Sequence, residues 1–158
     1  MSTTLNLTDR LLAMGRKFQE LGRDQEALHI LGRLAGFRQL PAEISEESQV
    51  RLAELLLRCG RYVRARRHLT AVLVQRPDSA RYHYLMASAH NGDAKCDPQR
   101  AAEHYRKSLQ LDPGQPRCLG EFGLLALRLG CTEEGLASLR RAVELAPDDP
   151  EEIGRAHV

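Results

Sequence analysis

The sequence predicts an all-α protein, a right-handed α-solenoid of about four helix–turn–helix repeats. Three observations predict it. A small residue followed four positions later by a large one returns along the chain, at Ala27 and Leu31, Ala65 and Leu69, Ala101 and Tyr105, Gly135 and Leu139. The last three copies close on a proline, at Pro77, Pro113 and Pro147. Upstream of each copy lies a second helical segment with its own small residue, Gly15, Ala53, Ala87 or Gly123. Self-similarity of this kind marks units that cannot bury their apolar face alone and must stack on their neighbours.

The first unit, about 8–41, has Gly15 inside MGRKF and a second segment starting at Gly22, GRDQEALHILGRLAGFRQ, without the closing proline; four extra residues around LPAE come after it. In the second, about 46–79, Leu52, Leu55 and Leu56 of RLAELLLRCG fall at helical spacing, and Gly60 stops the helix before GRYVRARRHLTAVLVQRP. The third, about 80–115, carries two extra residues in its inner turn, NGDAKCDPQ, and ends QLDP; the fourth, about 116–149, pairs FGLLAL with GCTEEGLASLRRAVELAP. Glycine inside a helix costs about 1 kcal/mol relative to alanine. Gly15 opposite Ala27, and Gly123 opposite Gly135, offset that cost if they let paired helices approach near the lower end of the usual range of about 8–10 Å. Each closing proline cannot continue the hydrogen-bond ladder, and Asp78, Asp148 and Asp149 offer turn or N-cap chemistry for the next helix.

These residues resemble the tetratricopeptide repeat family, whose unit is about 34 residues of helix, turn and helix. The resemblance covers roughly residues 8–149, and Ala53 to Ala87 and Ala101 to Gly135 each span one such period. Phe18 stands where the family favours tyrosine, and there is no tryptophan. The resemblance implies that successive first helices line a concave groove that takes a segment of another protein. Carried onto this sequence, the groove positions are Arg58, Arg81, Tyr84, Ser88, Asn91, Arg117 and Leu124, with Arg16, Glu54 and Arg128 on the same helices. Arg81, Tyr84 and Arg117 lead the set: two guanidinium forks suited to carboxylates and one aromatic platform imply an acidic or extended peptide. The two-carboxylate clamp of some chaperone-binding members needs a lysine and asparagines where this chain has Leu12, Arg16 and Glu54, which disfavours that role.

Composition narrows the function. A chain of 158 residues can bury one sizeable core, and a net charge of +2 lacks the strong positive field of a dedicated nucleic-acid binder. The alternative reading places nucleic acid on the arginines of the second unit, Arg61, Arg64, Arg66 and Arg67, but no aromatics interleave with them and a solvated helix face explains them better. Cys59, Cys96, Cys118 and Cys131 form no CxxC pair, so reduced thiols are expected rather than zinc or a disulfide framework. The sequence holds no HExxH, GxSxG or phosphate loop, and its histidines are scattered; His83 and His90, seven apart, read as surface residues of one helix. No catalytic residue, metal or cofactor is expected. Asp9 precedes any sustained apolar run and no apolar stretch could span a bilayer, so a cytoplasmic protein without a membrane partner is expected. The last residues, EIGRAHV (152–158), break the repeat and resemble a translated sequencing adapter; they are expected to be foreign to a chain that continues past about Glu151. Leu136, Leu139, Val143 and Leu145 would then lack a successor helix, leaving self-association open.

Overall fold

The computed structural model describes residues 2–147, with side chains from Leu7 onward; the EIGRAHV tail, Asp148 and Asp149 lie outside that range. Among the described residues there are eight helices and no strand. They are α1 (Ser2–Glu20), α2 (Asp24–Ala35), α3 (Ala42–Arg58), α4 (Tyr62–Gln75), α5 (Ala80–Asn91), α6 (Pro98–Leu111), α7 (Pro116–Arg128) and α8 (Thr132–Leu145). The chain divides into two compact units, α1–α4 ending at Gln75 and α5–α8 beginning at Arg76.

In the first unit α1 packs on α2 and α3 on α4, with α2 and α3 joining the two pairs. Its core is built from Leu12, Leu31, Leu34, Leu55, Leu56 and Ala65. Gly15 is needed because an added Cβ would lie 2.5 Å from Leu31 Cδ2. Leu31 is the residue the notch admits, one turn beyond the expected Ala27. The turn from α3 to α4 is closed as its sequence requires. Gly60 adopts φ +67°, its N–H donates to Leu57 O at 3.0 Å, and the N–H of Arg61 donates to Leu56 O at 2.7 Å, which satisfies carbonyls that the helix end would leave bare. The same pattern closes α1 at Gly22 and α7 at Gly130. Any side chain at such a position meets the left-handed penalty of about 1–2 kcal/mol. Gly60→Ala is accordingly expected to lower stability by about that amount, checked by urea unfolding.

In the second unit the pairs are α5 with α6 and α7 with α8, and α6 also packs on α7. Ala87, Ala101, Tyr105, Phe122, Leu125 and Ala126 form its core. Here the notch is reciprocal: a Cβ on Gly123 would lie 3.0 Å from Gly135 O and 2.7 Å from Leu139 Cγ, and one on Gly135 would lie 2.9 Å from Gly123 O. Leu139, read from sequence as exposed, is half-buried in that contact, whereas Leu136, Val143 and Leu145 are exposed. The prolines act as read, with α4, α6 and α8 ending at Gln75, Leu111 and Leu145, two residues before Pro77, Pro113 and Pro147. The cap of α5 is Ser79 rather than Asp78, its hydroxyl accepting from the Tyr82 N–H at 3.4 Å. The longer turn before α6 is organised by Asp97, which accepts from the Gln99 N–H at 2.9 Å while Pro98 opens the helix, where its missing N–H costs nothing.

Candidate functional site

The first helices of the second unit, α5 and α7, supply the candidate site, and its centre is a residue that sequence reasoning passed over. Glu121 is the one acid on α7, set in PRCLGEFGLLALR between Gly120 and Phe122, and it is buried. A carboxylate taken from water must recover its hydrogen bonds from protein groups. Glu121 recovers four. Tyr84 donates its O–H to Oε1 at 2.8 Å, Tyr105 to Oε2 at 2.7 Å and Ser88 to Oε2 at 3.2 Å, while Arg117 Nε donates to Oε1 at 3.2 Å. Tyr84 and Ser88 come from α5, Tyr105 from α6 and Arg117 from α7, so one carboxylate ties three helices together.

The electrostatics agree. Burial, and then the charge of Glu121, raise the Tyr84 phenol well above its ordinary range. Tyr105 is raised for the same two reasons. Both therefore stay neutral donors at any ordinary pH. Burial opposes the charged form of Arg117, but the charge of Glu121 and its hydrogen bond from Arg117 favour it, and the guanidinium is held above its usual value. Arg117 also lies over the Tyr84 ring, 5.9 Å from its centroid. Its side chain remains exposed, with Nε engaged by Glu121.

The other sequence candidates fall into two groups. Arg81 is exposed at the start of α5 and Leu124 is exposed on α7, while Asn91, at the end of α5, accepts from Arg128 Nη2 at 2.8 Å. These share α5 and α7 with Tyr84, Ser88 and Arg117. Arg58 and Arg16 belong to the first unit, and both are engaged: Arg58 with Asp24 at 2.6 Å, Arg16 with Glu47. Glu47 is in turn held by Arg51 at 2.6 Å, and it titrates below the usual carboxylate range, first because of its hydrogen bond from Arg16. The first unit's face is thus internally paired, and α3 adds Glu43, Glu46, Glu47 and Glu54. In contrast α5 and α7 together carry Arg81, Arg117 and Arg128 against the single buried Glu121.

Two further sequence readings are located by the structure. Arg61, Arg64 and Arg67 are exposed around α4, a helix without an acidic residue, and His68 is half-buried with Nδ1 at 2.5 Å from Gln49 Oε1. Cys118 is buried in the core, which pushes its thiol up to about 12, so it holds the position of a small hydrophobe rather than a reactive thiolate. Among the described residues no group of three or more His, Cys, Asp or Glu is arranged to hold a metal ion. No described helix is long and apolar enough to cross a membrane.

Four helix–turn–helix pairs, notched by alanine or glycine and joined by glycine or capped turns, define a helical repeat protein. Tetratricopeptide repeat models match residues 22–89 and 94–150. The chain belongs to the tetratricopeptide repeat family, as its sequence led one to expect. Among solved structures its fold is similar to MamA (residues 41 to end) from Desulfovibrio magneticus RS-1, with TM-score 0.78 and 23% identity over 90% of this chain and 77% of that one. It is likewise similar to the thermophilic TPR protein TTC0263 of Thermus thermophilus, with TM-score 0.68 and 20% identity over 89% of this chain and 75% of the other. A curated relative is the probable biofilm formation methyltransferase WspC of Pseudomonas putida, 32% identical over 126 residues. That match spans 80% of this chain but only 28% of the relative. All-α helix–turn–helix repeats of this family are scaffolds for protein–protein contact.

Proposed function

We propose that the chain is a binding scaffold, without a reaction of its own, that holds an extended acidic segment of a partner protein across α5 and α7. The observation that carries this reading is the Glu121 cluster. It uses the one acid of the two helices to fix Tyr84, Ser88 and Arg117 in place, and the arginines that these helices carry, Arg81, Arg117 and Arg128, are all exposed. Fixed side chains lose less entropy on binding, so the platform is set before the ligand arrives. An aromatic ring backed by guanidinium forks matches a peptide whose carboxylates accept paired N–H bonds. The four free cysteines fit the reducing cytoplasm expected from sequence. Self-association through α8 has a narrower basis, the exposed Leu136, Val143 and Leu145. The methyltransferase activity in the relative's name belongs to a much longer protein, and the repeat segment is what the two share.

Selection from a displayed library of random peptides tests the proposal. The wild type is expected to enrich Asp- and Glu-rich sequences, bound more weakly as salt is added. Arg81→Gln with Arg117→Gln is expected to weaken the enriched peptides at least about tenfold, the equivalent of about 1.4 kcal/mol, with the fold retained. Enrichment without acidic bias, or equal binding by the double variant, would remove the assignment.

A further inference from the structure

The histidines read from sequence as scattered surface residues meet in the second unit. His83 and His90 of α5 and His104 of α6 are all half-buried; the His90 ring stacks on that of His104, and the His83 ring lies tilted against it. The centroids of His83 and His104 are 5.3 Å apart; those of His90 and His104 are 5.7 Å apart, with the latter rings within 10° of parallel. His83 Nδ1 lies 3.1 Å from His104 Nδ1, and His83 Nε2 lies 2.8 Å from the carbonyl oxygen of Pro77. A carbonyl only accepts, so His83 carries its proton on Nε2 and presents a bare Nδ1. His104 must then carry its proton on Nδ1 and donate it. The pair is held by one shared proton, and this bond joins α5 to α6 while His83 also pins the segment leading into α5.

We infer that this histidine cluster is an acid-sensitive latch between α5 and α6, closed when the rings are neutral and opened when His83 and His104 are both protonated. With one proton added to Nε2 of His104 and another to the bare Nδ1 of His83, a donor faces a donor, which breaks the bond and sets two cations 3.1 Å apart. Burial resists charge on His104 first, and the charges of His83 and His90 resist it next, holding its pKa down at about 4. On α6 the cations Arg100 and Lys107 lie one turn from His104 on either side and Glu103 precedes it, while Glu134 of α8, the acid that reaches α6 from that helix, is held by Arg106. From α7, the other helix packed on α6, Glu121 and Arg117 are committed to the Tyr84 and Tyr105 cluster.

The direction of the pH effect is set by proton uptake. His104 is lowered in the folded chain, so the unfolded chain binds more protons between about pH 6.5 and 4. Stability from this group is therefore present above about 6.5 and lost as the pH falls through that window. Unfolding in urea is expected to show the folding constant falling about tenfold between pH 7.5 and 5.5 from this site alone. His104→Gln is expected to flatten that share, whereas His29→Gln at an exposed position of the first unit is expected to leave it. Amide exchange at pH 5.5 is expected to rise in α5 and α6 relative to α3 and α4. Equal pH dependence in wild type and His104→Gln, or uniform loss of protection, overturns the latch. Should His104→Gln not fold, the ring proton resonance of His104 in the wild type decides: titration well below 6.5 supports the latch and an ordinary midpoint overturns it.

Discussion

Glu121→Ala is expected to destabilise the second unit by about 3 kcal/mol or more, because it orphans buried donors rather than merely deleting a charge. Tyr105 is fully buried and Tyr84 half-buried, and both lose their acceptor. An unsatisfied buried donor costs about 1–3 kcal/mol, and removing one partner of a buried charged network costs about 3–5 kcal/mol. Arg117 contributes less to the loss, since its exposed end can hydrate. The mechanism has a distinctive signature. Glu121→Leu combined with Tyr105→Phe removes acceptor and principal donor together, so it is expected to recover part of the stability lost by Glu121→Leu alone. Urea unfolding of the four proteins measures the coupling, and strict additivity would mean that the carboxylate does not organise the hydroxyls.

Gly123→Leu is expected to cost about 3 kcal/mol and to separate α7 from α8. Even the first added carbon meets Leu139 Cγ at 2.7 Å and Gly135 O at 3.0 Å, and a backbone oxygen cannot rotate away as a side chain can. Overpacking of this kind costs about 1–3 kcal/mol for small insertions. Alanine at the same place recovers up to about 1 kcal/mol of helix propensity, so Gly123→Ala is expected to lose less. Gly32, on α2, supplies the contrast: an added Cβ meets nothing within 4 Å, and Gly32→Ala is expected to stabilise. Thermal melts of the three variants separate packing from propensity.

Much of the fold was legible because its determinants are local. Gly60 could be read as a helix stop because only glycine enters its left-handed turn at little cost, and Pro77 and Pro113 because proline ends a helix wherever it falls. The small positions were legible too, through their period. Their partners were less so, since which residue fills a notch depends on helix rotation. Gly15 meets Leu31 rather than the expected Ala27, whereas Gly123 meets Gly135 as expected, with Leu139 added.

The candidate site divides along the same line. Tyr84, Ser88 and Arg117 were named from the family's groove positions, and the structure places all three on one carboxylate. Glu121 was missed because a single glutamate in a helix ordinarily faces water. The available signal was its setting, the one acid of its helix, flanked by Gly120 and Phe122 and by the apolar run that follows. Arg16 and Arg58 were named for the groove, but their partners, Glu47 and Asp24, lie 31 and 34 residues away in sequence, beyond what helical periodicity reports. The histidines failed for the same reason: His104 stands on a different helix from His83, and only the folded hairpin brings their rings together.

The central claim is that recognition resides on the face of α5 and α7 that Glu121 organises. Its most direct measurement is a residue-resolved NMR titration of the full chain with an acidic peptide enriched from the displayed library. The account predicts progressive, saturable shifts at Arg81, Tyr84, Ser88 and Arg117. Shifts confined to the arginines of α4 or to the exposed leucines and valine of α8, with α5 and α7 unmoved, would contradict it.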